Sequence, residues 1–436
     1  MGFHNIAASE YHYGLIAFDS DGNERSEATG NFSDQLVQQL SAEPVTDVFF
    51  FCHGWKGDAP AAIQQYNLWI GSFVASADLG RAKGKLPGFH PMFLGLHWPS
   101  LPWGDEKPGN DGSFAAGGGP SASQTMQDMA ASLDDTPEVR AQLQVLFDHA
   151  REDLTPDTLP EEVKNAYLKL NDLLGLAAES AASDADRRSF DSEEYYQAAL
   201  ENSSNFSGFS LGGLLSPLGQ LSYWTMKKRA RSMGEGGMHL LLERMQQTSL
   251  AKGVRFHLMG HSFGTIVVSG MLGGPDCKGT LLKPVDSVAL VQGAVSLWSY
   301  AEDIPYDDGG SGYFHPILAD HKVAGPLITT QSKFDLAVRR MYPLASHLHG
   351  GASFDVGFPE LGGVGTFGLQ GLGAGQPQSL PLKPATEPYE FQPGEIYNLE
   401  ASQYICHGGG ASGAHSDIAG PEVAHAIWEA ALSLSA

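Results

Sequence analysis

Apolar residues run without a break from Val48 to Cys52 in the segment VTDVFFFCHGW and stop at His53-Gly54. A short apolar run with no polar alternation fits a strand buried on both faces of a parallel sheet. Similar runs occur at Tyr13–Phe18, Phe93–Leu96, Val254–Met259, Val288–Val291, Pro326–Thr330 and Glu395–Leu399. The first runs into the turn signal Asp19-Ser20-Asp21-Gly22, and the second stops at His97-Trp98-Pro99. Between the runs, apolar residues return at helical spacing. They do so in Ala59–Ser76, in Tyr223–Gln247 with a break expected near Gly236-Gly237, in TIVVSGML after residue 264, and in Pro421–Leu434. Strands alternating with helices predict an α/β fold: a mostly parallel central sheet with helices on both faces.

The pattern changes after Trp103. Residues 104–123 are rich in Gly, Pro, Asn, Asp and Ser and read as loop, whereas 124–202 are helical and acidic. Thr136 followed by Pro137 marks a helix N-cap. Val163, Ala166, Tyr167, Leu170, Leu173 and Leu174 make one apolar stripe. The soft linker SSNFSGFSLGGLLSPLG closes this segment. The expected organisation is one core, residues 1–105 and 216–436, carrying an inserted acidic helical cap or lid over 106–215. A Gly/Pro-rich stretch without periodicity, 345–394, reads as a loop insertion within the core. No internal repeat is present.

Of the 436 residues, 42% are hydrophobic, enough for a large core, and the formal net charge is −24. So negative a surface repels phosphate backbones and anionic headgroups, so no nucleic-acid partner is expected. No apolar run approaches the roughly 18 residues that span a bilayer, and the N-terminus lacks a signal-peptide pattern. A soluble cytoplasmic protein is the expectation. Cys52, Cys277 and Cys406 stand too far apart to imply a disulfide framework.

The sharpest chemical signal is Gly260-His261-Ser262-Phe263-Gly264, a G-x-S-x-G pentapeptide between the strand VRFHLM and the helix TIVVSGML. A nucleophile elbow requires that context, and flanking glycines clear the side chains that a tight strand-to-helix turn would bring into collision. Ser262 is therefore the candidate nucleophile. A serine hydroxyl needs a base to take its proton. His415 is the candidate, in the loop between the last strand and the last helix. His407 is a rival, and His425 falls inside the helix as a structural residue. The base needs an acid to hold its tautomer. Asp335, just past the Pro326–Thr330 strand, is the candidate, with Asp303 and Asp307 as alternatives. Backbone N–H groups of Phe263 and Trp55 are the expected oxyanion donors. Gly54 allows close approach, and His53 braces the loop by hydrogen bonding.

The motifs for other chemistry are weak. There is no HExxH and no CxxC pair, and His347 and His349 sit in a loop, so no metal is expected. The glycines of GGVGTFGLQGLGAG lack the strand-to-helix setting of a dinucleotide site, so no cofactor is expected either.

These segments, the GHSFG elbow, the HGW loop, and the order Ser262, Asp335, His415, resemble the α/β-hydrolase superfamily of esterases and lipases. The resemblance spans 1–105 and 216–436 and not the acidic insertion. The HGW segment resembles the group whose second oxyanion donor follows an HG pair. YWTMKKRA and GAHSDI are similar to segments of bacterial and fungal hydrolases with largely unassigned substrates. The resemblance implies a cofactor-free Ser-His-Asp hydrolase of carboxylic esters working through an acyl-enzyme. A thioesterase, an amidase, an acyltransferase or a non-catalytic binding protein on the same fold are the alternatives. Trp55, Trp98 and Trp103, if they line the pocket, favour an ester with an apolar acyl or aromatic group.

Overall fold

The computed structural model describes residues 2–435 except 20–21, 27–29, 56–58, 101–121, 177–189, 202–211, 308 and 341–357. Among the described residues nine strands form one sheet: β1 (Gly2–Asn5), β2 (His12–Ala17), β3 (Asp47–Cys52), β4 (Pro91–His97), β5 (Arg255–His261), β6 (Ser287–Val291), β7 (Leu327–Gln331), β8 (Gln378–Pro381) and β9 (Ile396–Glu400). Their spatial order is β1-β2-β4-β3-β5-β6-β7-β9-β8. Only the β1–β2 pair is antiparallel.

The uninterrupted apolar runs follow from what covers the sheet. In β3, Val48, Phe50 and Cys52 enter one apolar cluster, while Phe49 and Phe51 enter a second on the opposite face. Alternate side chains of a strand point to opposite faces, so burial on both leaves no room for polar alternation. Helices α1 (Phe32–Ala42), α8 (Pro217–Met233), α9 (His239–Ser249) and α10 (Gly264–Gly273) contribute to the first cluster. The second takes α2 (Ala59–Ala75), α3 (Ala77–Lys85) and the C-terminal helix Pro421–Leu432. The expected break at Gly236-Gly237 is a π-turn over Gly234–Met238, with Gly236 at φ −94°, ψ −112°, separating α8 from α9. A Cβ on Gly237 would lie 2.0 Å from the Gly22 carbonyl oxygen, which accounts for the glycine at the break.

Within the acidic segment stand α4 (Ala122–Leu133), α5 (Pro137–Glu152), α6 (Glu161–Leu173) and α7 (Ser192–Glu201). Thr136 caps α5, its Oγ1 accepting from the Val139 N–H at 3.2 Å. Val163, Ala166, Tyr167, Leu170 and Leu174 are buried as the stripe requires, but Leu173, in the last turn of α6, is exposed. The residues of the stripe share the first cluster with Leu221, Tyr223 and Trp224 of α8, so these helices have no separate core. Arg229 of α8 adds a polar tie, donating to the carbonyls of Leu133 at the end of α4 and of Pro99 past β4.

Two differences from the sequence pattern stand out. Helix α8 begins at Pro217, inside the stretch that reads as linker, with Pro in its first turn. The stretch 345–394, read as a loop insertion, contributes strand β8 to the sheet and a short helix, Val364–Phe367, against β7. Four-residue strands such as β1 and β8 are too short to set up a legible alternation. Among the described residues no helix is long and apolar enough to cross a membrane.

Candidate active site

The C-terminal ends of β3, β5, β6, β7 and β9 converge, as strand ends do in open α/β sheets that bind ligands. Strand β5 ends at His261. Ser262 then adopts a left-handed φ of +56°, and Phe263 opens α10. A non-glycine residue at such a φ costs of order 1–3 kcal/mol and persists only where surroundings fix it. Here they do. The Ser262 carbonyl accepts from the Thr265 N–H at 3.1 Å, the Thr265 hydroxyl at 2.6 Å and the Ala294 N–H at 3.2 Å. The Ser262 N–H donates to Val291 O at 3.2 Å.

Three glycines let the chain segments meet. A Cβ on Gly260 would lie 2.4 Å from Gly264 O, and one on Gly264 2.2 Å from Cys52 O. A Cβ on Gly54 would lie 2.5 Å from the Ser262 Cβ. The HGW loop therefore rests directly on the elbow, and the Trp55 ring meets the Phe263 ring edge-on with centroids 5.7 Å apart. This brings Gly54, the residue before Trp55, against the candidate nucleophile Ser262, with Phe263 at the positive end of α10.

His53 is a brace. It is fully buried, its Nδ1 donates to Gly54 O at 2.6 Å, and its Nε2 meets His97 Nδ1 at 3.0 Å. Trp98 is likewise buried, with Nε1 donating to His53 O at 3.0 Å, so it packs the loop from behind. Trp103, His347 and His349 lie outside the described residues.

His415 Nδ1 donates to Asp335 Oδ2 at 2.8 Å, across 80 residues of sequence. That bond assigns the ring proton to Nδ1 in the neutral imidazole and leaves Nε2 as the basic lone pair. Asp335 is fully buried. It also accepts from Gln292 Nε2 at 2.8 Å and, through Oδ1, from the Val338 N–H at 3.0 Å. The rivals are elsewhere. Asp303 and Asp307 are exposed, His407 pairs with Asp417 at the surface, and His425 is buried against Asp78.

His261 joins the elbow to the His415 loop, its Nε2 donating to His415 O at 2.9 Å while Gln65 Nε2 donates to its Nδ1 at 3.1 Å. Among the described residues no hydrogen bond links Ser262 Oγ to His415. Such contacts often close only around a bound substrate. Ser262 and His415 are 2% and 7% exposed, so both are buried.

The sequence reading missed Gln292. It follows β6 with φ +46°, exchanges bonds with Thr330 and donates to both Asp335 and Gly365 O. A Gln-Gly pair directly after a buried strand was the available signal. The glycine-rich stretch that follows residue 361 serves the same corner: a Cβ on Gly365 would lie 2.9 Å from the Gln292 carbonyl carbon and 3.0 Å from Asp335 Oδ2.

Comparison with family models, with curated proteins and with solved structures returns no match. The case for chemistry therefore rests on the geometry. A hydroxyl at a strained elbow beside a helix start, and an imidazole oriented by a buried carboxylate, are groups of the kind that acyl transfer uses.

Proposed function

We propose that this chain is a serine hydrolase of the α/β-hydrolase fold that cleaves carboxylic esters, with α4–α7 as its lid. The observation that carries the reading is Ser262 at a left-handed φ on a glycine-flanked elbow, with the buried His415–Asp335 pair held against the adjacent His261.

Ser262 Oγ attacks the ester carbonyl carbon while His415 Nε2 takes its proton. The oxyanion is received by the N–H groups of Phe263 and Trp55. Collapse breaks the bond to the alkoxy oxygen, which leaves as the alcohol with the proton from Nε2. Water, deprotonated at Nε2, attacks the acyl carbon, and the acid departs as Ser262 regains its proton. Asp335 keeps the Nδ1 proton in place and stabilises the imidazolium formed at each step. No cofactor enters. Apolar packing around Trp55, Phe263 and Tyr223 favours an apolar acyl or aromatic group over a sugar.

Labelling of the folded protein with a fluorophosphonate, read by intact mass and peptide mapping, tests the proposal. One adduct on Ser262 is expected. Native protein that takes up no label would overturn it. Hydrolysis of p-nitrophenyl esters of rising chain length would then define the acyl preference.

A further inference from the structure

His407, a residue that the proposed chemistry does not use, belongs to a different constellation. Its imidazole Nδ1 lies 3.6 Å from Cys406 Sγ and 3.3 Å from Asp417 Oδ2. One donor atom from each of the three residues falls within 4.8 Å of the others. Zinc takes thiolate sulfur at about 2.3 Å and imidazole nitrogen or carboxylate oxygen at about 2.0–2.2 Å, tetrahedrally. Those lengths put the sulfur and nitrogen donors about 3.5 Å apart and the nitrogen and oxygen donors about 3.4 Å apart. The observed separations match both.

The carboxylate is already oriented. Asp417 Oδ2 accepts from the N–H of Cys406 at 3.0 Å and from that of His407 at 2.7 Å, so the backbone carrying two of the donors fixes the third. Orientation of this kind is what makes a ligand set competent before the ion arrives. The other cluster of carboxylate and imidazole groups, Asp78, His425 and Glu429, lacks that readiness. Both nitrogens of His425 are engaged, on Asp78 and on Glu387 O, and Arg81 already spans the two carboxylates.

We infer that Cys406, His407 and Asp417 form a binding site for a zinc-type divalent cation, with water as the fourth ligand. The His407 side chain is 84% exposed, so the ion enters from solvent. Binding replaces the thiol proton, which leaves to solvent, by a metal–sulfur bond. The site closes the segment from Cys406 to Asp417, which carries His415. Occupancy therefore steadies the loop that presents the imidazole to Asp335.

Cobalt(II) titration of this 436-residue chain, followed by absorbance, tests this without any activity assay. A sulfur-to-cobalt charge-transfer band saturating at one equivalent and displaced by zinc is expected, and Cys406→Ser should abolish it. His407→Ala, at an exposed position that folding does not need, should weaken cation affinity by about 10–100-fold. Zinc should raise the Tm of the parent protein and leave that of Cys406→Ser unchanged. Absence of the thiolate band in the parent protein, or equal affinity in His407→Ala, would overturn the assignment. Because the readouts are spectroscopic and thermal, failure here is distinguishable from failure of the esterase proposal.

Discussion

Two Ser-His-Asp sets occupy opposite ends of the same sheet. At the C-terminal strand ends stand Ser262, His415 and Asp335. At the N-terminal ends, Ser287 Oγ bonds His257 Nδ1 at 2.9 Å and His257 Nε2 bonds Asp47 Oδ1 at 3.1 Å. By hydrogen bonds alone the lower set is the more complete. It nevertheless lacks the surroundings that the proposed chemistry needs. Ser287 lies within regular strand, paired with His257 in the β5–β6 register. Phe49 stacks on the His257 ring at 4.6 Å, and His257 is fully buried, so the imidazole is locked into the core. Arg255 ties Asp47 into an ion pair at 2.7 Å. The upper set has what the lower one lacks: a strained serine presented at a turn, glycines that let the backbone close in, and a helix start beside the nucleophile. On the proposed reading, what surrounds the three residues matters more than the bonds within the set.

The comparison breaks most sharply under alanine. Ser262→Ala should cut ester hydrolysis by about 10⁴-fold or more and abolish fluorophosphonate labelling, whereas Ser287→Ala should leave kcat within about twofold. Comparable losses in both variants would mean that the assignment of roles is wrong.

Asp47→Ala should do the reverse. Burial opposes the Asp47 charge, but the His257 hydrogen bond and the charges of His257 and Arg255 outweigh it and hold its pKa below the ordinary value. Removing the carboxylate strands its partners, at a cost of about 3–5 kcal/mol. Denaturant titration should show that loss, while the folded fraction keeps its turnover per labelled site.

Gly54→Ala tests the closeness of the HGW loop to the elbow. The new methyl group meets the Ser262 Cβ, and a shift of ~1 Å at the reacting groups costs about 10²-fold in kcat/KM. An unaltered rate would place the oxyanion donors elsewhere.

The smallest effect concerns a third histidine–carboxylate pair, which is structural like the lower set. Burial works against the charge of His425, but the bonds to Asp78 and the Glu387 carbonyl raise its pKa overall. A raised folded-state pKa gives stability that is full below the ordinary imidazole value and is lost as pH rises through the folded one. The Tm difference between parent and His425→Gln should therefore shrink as pH climbs above about 6.5. A difference that grows over that range would contradict the pairing.

How much of this the sequence displayed depends on the range over which each signal acts. The apolar run of β3, the elbow between β5 and α10, and the Thr136 cap are local, since the residues that enforce them lie within a few positions. That Asp335 and His415 would lie near one another was legible from chain order, because successive strand ends gather at one edge of the sheet, and the two are hydrogen-bonded. Gln292 was not. Its role depends on Asp335, 43 residues away, and on Gly365, 73 away. The glycines after residue 361 read as loop because their reason, close packing against Gln292 and Asn398, exists only in the folded chain. The lower Ser-His-Asp set was equally silent, since Asp47 and His257 lie 210 residues apart.

Strand β8 has a consequence for how copies of this chain coexist. It pairs with β9 through Gln378–Pro381, so the last long strand of the sheet is not an outer one. The terminal strand is instead four residues long, largely exposed and ended by a proline that has no N–H to offer. Such an edge gives an incoming strand little to template on. A stretch that looked like filler between elements thus gives the sheet, on this side, an edge ill-suited to the addition of another strand.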